Sequence, residues 1–209
     1  MRLSSMLTPL LVLSLSACSD VEKDGTDGHD GHHHHDHEVI TTVVLTFTSQ
    51  TDGSELAFTW SDADNSASPA VDDIVLQDAD DYSLSVEFLN ALETPPEDIT
   101  PEVADEADEH QIFFTGSAVE GPATGDNANA IIEHAYADED PNGLPIGLEN
   151  IISTLAVDSG KLTVTMRHLP LEGGTPIKTD GLAEDIAEGG FGSIGGANDV
   201  QVTFNIEVE

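Results

Sequence analysis

An all-β fold is what the sequence predicts: an antiparallel β-sandwich (Ig-like) of about eight strands with one short helix. Three observations carry that expectation. Apolar residues recur at every second position in five segments; Gly, Asp, Asn and Pro separate those segments; and a single stretch combines helix-start residues with early acids.

Taken in order, Val39, Val43, Leu45 and Phe47 alternate with Thr42, Thr46 and Thr48, and Leu56, Phe58 and Trp60 alternate with Glu55, Ala57 and Thr59. Tyr82, Leu84, Val86 and Phe88 alternate with Ser83, Ser85 and Glu87. Leu162, Val164 and Met166 alternate with Lys161, Thr163 and Thr165, and Val200 through Val208 alternate with Gln201, Thr203, Asn205 and Glu207. A period of two puts one set of side chains inside and the other in water, the pattern of a half-buried strand. Shorter candidates are 74–77, 112–115, 131–137 and 148–157; by composition 131–137 and 148–156 also suit a helix. The helix is expected from Thr100 to His110, with Thr100 as N-cap, Pro101 at the first helical position and acids in the first turn. Two packed sheets are the architecture that follows.

Ahead of this domain, expected over residues 39–209, the chain opens with Arg2, an apolar run from Leu10 to Leu15, and Leu15-Ser-Ala-Cys18. The run is too short to span a membrane and reads as a secretory signal over residues 1–17. Its end resembles the lipobox of bacterial lipoproteins, which implies cleavage before Cys18 and acylation of that cysteine. Ser19 resembles the sorting signal of outer-membrane lipoproteins, and Asp20, Glu22 and Asp24 resemble surface-export signals. The chain would then sit on the cell surface or the periplasmic face of that membrane. Residues 18–38 hold Asp, Gly, His and Glu with almost nothing apolar, so they are expected to form a disordered acidic, His-rich tether.

Five Lys and Arg stand against 41 Asp and Glu, for a formal charge of -36. Nucleic acid and anionic membrane surfaces would be repelled, so membrane association is expected through the lipid anchor alone. Cations are the natural ligands of such a chain.

Four features bear on cation chemistry. His29, His32, His33, His34, His35 and His37 are interleaved with Asp30, Asp36 and Glu38, and imidazole with carboxylate suits Zn²⁺, Cu²⁺ or Ni²⁺. A helix through 100–110 would put Glu106 and His110 one turn apart on one face, with Glu109 beside them. His168 continues the apolar face of Leu162, Val164 and Met166, so it is expected to point inward or to sit at the rim. A lone histidine there is more often a satisfied core residue. If His110 and His168 met, however, two imidazoles beside Glu106 or Glu109 would make most of a tetrahedral site, with His134 as a weaker fourth candidate. Finally, Asp138, Asp140, Asn142 and Glu149 fit the spacing of a calcium loop, D-x-[DN]-x-[DN]-G-x5-E, although Asp-Pro-Asn-Gly is equally a good turn. No nucleophile elbow, phosphate loop, dinucleotide fingerprint or HExxH motif occurs, and a non-enzymatic protein is expected.

Several blocks carry a resemblance: Glu38-Val-Ile-Thr-Thr-Val, Leu92-Glu-Thr-Pro-Pro-Glu-Asp-Ile-Thr, Glu106-Ala-Asp-Glu-His-Gln-Ile-Phe-Phe, Asp140-Pro-Asn-Gly-Leu-Pro-Ile-Gly-Leu, Met166-Arg-His-Leu-Pro and Asp199-Val-Gln-Val-Thr-Phe. Through them the chain resembles small, acidic, His-rich bacterial outer-membrane lipoproteins labelled "type 1 periplasmic binding fold superfamily protein", sometimes found beside TonB-dependent receptors. The label implies two α/β lobes, against which the alternating strands argue. The resemblance implies work near such a receptor and adds weight to His110 and His168. The expected function is binding of a transition metal, Zn²⁺ first, and its transfer to an outer-membrane TonB-dependent receptor. The alternative is a Ca²⁺-stabilised surface sandwich that binds a protein or glycan.

Overall fold

A computed structural model describes residues 39–64 and 66–209. Cys18, the signal segment and the six histidines of 29–37 lie outside the described residues. The elements are β1 (Thr42–Ser49), β2 (Glu55–Ser61), β3 (Ala70–Val71), β4 (Ile74–Leu76), β5 (Asp81–Asn90), β6 (Glu97–Asp98), α1 (Thr100–Asp105), β7 (His110–Thr115), β8 (Val119–Glu120), β9 (Ile132–Tyr136), β10 (Glu149–Thr154), β11 (Asp158–His168), α2 (Leu182–Gly189) and β12 (Ala197–Val208).

The strands form two sheets, as expected of a sandwich. The larger runs β3-β2-β1-β5-β10-β9-β8, with β6 beside β5; the smaller runs β4-β12-β11-β7. Pairing is antiparallel except for two short edge contacts, β8 with β9 and β4 with β12. Alternation decides which face goes inside: along β12, Val200, Val202, Phe204, Ile206 and Val208 are buried while Gln201, Thr203, Asn205 and Glu207 are exposed. Val43, Leu45, Phe47, Leu84, Val86 and Phe88 answer them from the larger sheet, and together these side chains form one core. The two segments open to either reading are strands, β9 and β10.

β7 departs from the alternation because both of its faces are covered. Phe113 points away from the main core into a second cluster with Ala123, Leu169, Leu182, Ala183 and Ile186, formed under α2. α2 was not legible in the sequence: the residues it buries, Leu182, Ala183 and Ile186, are few, and glycine flanks it on both sides.

The expected helix over 100–110 is shorter than its sequence suggests. α1 ends at Asp105, the chain turns at Glu106, and His110 opens β7. Asp105, Glu106, Asp108 and Glu109 would crowd the last turns of a longer helix, where carboxylates oppose the helix dipole and repel one another. Glu106 and His110 therefore do not share a helical face. Nor does Thr100 cap the helix; its Oγ1 accepts the Phe88 amide at 2.9 Å and ties α1 to the end of β5.

Candidate metal centre

The turn after α1 delivers His110 to the first position of β7, and the apolar alternation of β11 delivers His168 to its last position. Register sets them opposite each other, two pairs beyond Met166–Ile112 and four beyond Val164–Phe114, and so on the same face as both. Both therefore lie on the core face of the smaller sheet, at its end. Their rings stack with centroids 4.8 Å apart and planes 12° apart.

Asp199 joins them from the other flank of β11. Met166 pairs with Val200 but Arg167 pairs with Asn198, which leaves Asp199 as the extra residue of a bulge in β12. A bulge re-aims a side chain that strict alternation would send to solvent. The Asp199 carboxylate is accordingly fully buried, with Oδ2 3.8 Å from His110 Nε2. One ligand atom from each of His110, His168 and Asp199 lies within 4.8 Å of the other two, and this group could hold a metal ion. Glu109, immediately before β7, brings Oε2 to 3.6 Å from His168 Nε2. Bonds of about 2.0–2.1 Å to a tetrahedral Zn²⁺ place neighbouring ligand atoms about 3.3 Å apart, so both pairs are within a few tenths of an ångström of a coordinating spacing.

The His110 ring is held from behind. Nδ1 lies 3.2 Å from the Glu106 carbonyl oxygen, which can only accept. Nδ1 therefore carries the proton, and in the neutral ring Nε2 is the lone-pair nitrogen, on the side of Asp199. A backbone carbonyl behind a ligating histidine fixes the tautomer and ring plane in this way at many metal sites. Glu106 thus serves through its main chain.

Two buried cations brace the segments that carry these residues. Lys178 Nζ donates to the Ala107 carbonyl at 2.7 Å and lies 3.1 Å from Asp140 Oδ2, pinning the turn that leads to Glu109 and His110. Arg167 donates from Nε to the Gly195 carbonyl at 2.8 Å, from Nη1 to Asn198 Oδ1 at 2.7 Å and from Nη2 to the Gly196 carbonyl at 3.0 Å, pinning the approach to Asp199. Of the three lysines and arginines among the described residues, the third, Lys161, is on the far half of β11.

His134, the weaker candidate, is elsewhere. It stands on β9 in the larger sheet, with its ring 4.3 Å from Phe114 and 4.8 Å from Tyr136, and Nε2 donates to Asn150 Oδ1 at 2.9 Å. Burial lowers its pKa to about 4. It is a neutral core histidine.

The calcium-loop residues have other work. Asp138 Oδ1 accepts the Gly147 amide at 2.7 Å, and its Oδ2 accepts those of Leu148 and Glu149 at 2.8 and 3.0 Å. Asp140 Oδ1 accepts the amides of Asn142 and Leu144 at 2.8 and 2.9 Å, while Oδ2 faces Lys178. The spacing that suits calcium here builds a closed turn whose carboxylates meet backbone amides and a lysine. Glu149 opens β10, where its amide meets Asp138.

Asp199 is the member of this candidate group that the sequence does not single out, since only the bulge brings it inward. Its signal was faint: an acid beginning a resemblance block just ahead of an apolar strand. Neither family models, curated proteins nor solved structures give a match to this chain.

Proposed function

We propose that the protein is a lipid-anchored cell-envelope protein that binds a transition metal, Zn²⁺ first, and passes it to an outer-membrane receptor. The observation that carries this reading is the convergence of His110, His168 and Asp199, from three neighbouring strands, on one buried corner of the smaller sheet. Imidazole and carboxylate without thiolate suit Zn²⁺ and other borderline divalent ions rather than Cu(I), which prefers sulfur. Strand residues locked by register are pre-organised, so little conformational entropy remains to be lost on binding. In this reading His110 and His168 supply neutral nitrogens, and Asp199 supplies charge that offsets the ion's own.

The surrounding acidity attracts divalent cations over distances of about a Debye length. The six histidines of 29–37 raise the local concentration of metal beside the domain, as a tethered second site does. Cys18 carries the lipid that keeps both at the membrane.

Calorimetric titration of Zn²⁺ and Ca²⁺ into the full chain tests the reading. It is run in parallel on a full chain whose six arm histidines are each changed to asparagine, with and without His110→Ala and His168→Ala. A single tight Zn²⁺ site is expected to survive loss of the arm histidines and to vanish with the pair. If all Zn²⁺ uptake disappears with the arm, the folded centre is not a metal site.

A further inference from the structure

The core is left open along one edge of the sandwich. Leu56 and Phe58 of β2 pair directly with Phe47 and Leu45 of β1, so the four side chains share the inner face. Phe47 and Leu45 are fully buried, whereas Leu56 and Phe58 are only partly so. The difference follows from topology: β2 and β3 carry the larger sheet past β1, while the smaller sheet stops at β4, three residues long. A cleft of about 550 Å³ opens there, lined by Leu56, Phe58 and Val75 and by the acids Asp52, Asp78 and Asp80. It lies far from the candidate metal centre, since Asp199 is near the start of β12 and Val208, which pairs with Leu76, is its last residue.

The main chain of β4 is open at the same edge. The Leu76 carbonyl accepts the Glu209 amide at 3.0 Å, and the Asp78 amide donates to the Glu209 carbonyl at 2.8 Å. Leu76 and Asp78 thus turn their backbone groups to the β12 side, and strand alternation turns those of Val75 the opposite way, to an edge that no strand covers. Gln77 gives its amide to Tyr82 Oη at 3.0 Å.

The charge of the cleft selects its occupant. Ser49 and Thr51 hydroxyls donate to Asp80, and the Ser54 amide donates to Asp52; these bonds hold both carboxyls below their usual range, so they stay ionised. None of Lys161, Arg167 and Lys178, the lysines and arginines among the described residues, lines the cleft. A second copy of this chain, with its formal charge of -36, would be repelled. A fitting occupant brings cations to the acids, apolar side chains to Leu56 and Phe58, and main-chain partners to Val75. An extended polypeptide supplies all three, because strand addition takes affinity from backbone bonds and specificity from alternate side chains. We infer that this cleft docks an extended segment of a partner protein, with lysine or arginine alternating with apolar residues, which adds to the smaller sheet at β4.

The probe is a labelled peptide of about ten residues, a long strand's length, alternating lysine with valine, titrated with the full chain at low ionic strength. Two comparators, one with serine for valine and one with an N-methylated backbone, are expected to bind about 10-fold more weakly or worse, since each lacks one of the three matches. Asp52→Asn with Asp78→Asn should cost about 10-fold or more by removing two facing charges. Val75→Pro removes the edge N–H without breaking a bond to β12 and should weaken binding likewise. Hydrogen exchange at the Val75 amide should slow when the peptide is bound. Equal binding of the serine peptide overturns the inference, because general acidity would then suffice. Equal binding of the N-methylated peptide, or unchanged exchange at Val75, overturns strand addition, and absence of peptide binding overturns the whole. The comparators use the parent chain, so these outcomes stand even where Val75→Pro fails to fold.

Discussion

His110 and His168 face each other across the last register pair of β7 and β11, with their rings stacked 4.8 Å apart. A bulge one strand away turns Asp199 toward them. From this arrangement His168→Ala and Asp199→Asn are each expected to weaken Zn²⁺ binding by about 10- to 100-fold or more, because changing even an outer partner of a ligand costs that much. Competition with a chromophoric chelator, in the chain lacking arm histidines, measures it. In the parent, free Zn²⁺ at 100 times its Kd should add about 2.7 kcal/mol of stability. Retention of the parent's Zn²⁺ affinity by both variants would exclude the centre.

Lys178 and Asp140 form a buried pair, with the ammonium also bonded to the Ala107 carbonyl. Lys178→Met leaves the Asp140 charge buried alone and is expected to cost about 3–5 kcal/mol in urea unfolding. It also frees the turn before Glu109, so Zn²⁺ affinity should fall in the fraction that remains folded. Lys178→Met combined with Asp140→Asn should recover part of the stability, since no lone charge is then buried. Equal instability of the single and double variants would argue against the pair.

His134 links stability to pH. Burial lowers its folded pKa from 6.5 to about 4, whereas the unfolded chain keeps the ordinary value. Between those two values the unfolded state binds more protons, so this group makes stability rise with pH through the window and fall as the solution is acidified. Across the whole window the contribution is about 3 kcal/mol. His134→Gln is expected to flatten the difference between urea midpoints at pH 4.5 and pH 7, measured without metal. An unchanged difference would remove His134 as its source.

Asp138 accepts three backbone amides between Gly147 and Glu149. Asp138→Ala should therefore lower stability by about 1–3 kcal/mol, as two part-buried amides lose their acceptor, and by the same amount in Ca²⁺ as in chelator. A Ca²⁺-dependent gain in melting temperature that the variant loses would restore the calcium reading of this loop.

Gly196 shows how closely the approach to Asp199 is packed. Its φ is +78°, in the left-handed region, and a Cβ there would run into the carbonyl oxygen of His168. Gly196→Ala is expected to destabilise the protein by more than 1 kcal/mol and to weaken metal binding, with thermal unfolding and the chelator competition as readouts.

Much of this molecule was determined by local pattern. The alternations of β1, β5, β11 and β12 fix which residues enter the core, because a period of two leaves each strand one apolar face and water selects it. The same rule placed His168 on the inner face before any partner was known, since it extends the run of Leu162, Val164 and Met166. What pattern alone could not decide is what depends on register between distant strands. His110 meets His168 because β7 and β11 pair, Asp199 turns inward because β12 carries one extra residue, and α1 stops early because clustered carboxylates outweigh a good helical start. Lys178 and Asp140, 38 residues apart, show the same limit. The loop spacing that suits calcium became a lysine-bound turn through a contact no motif encodes. The sequence by itself determined strand faces, composition and the supply of candidate ligands. Only the tertiary structure decided which of them converge, because convergence is a property of pairing and bulges across the chain, not of neighbours along it.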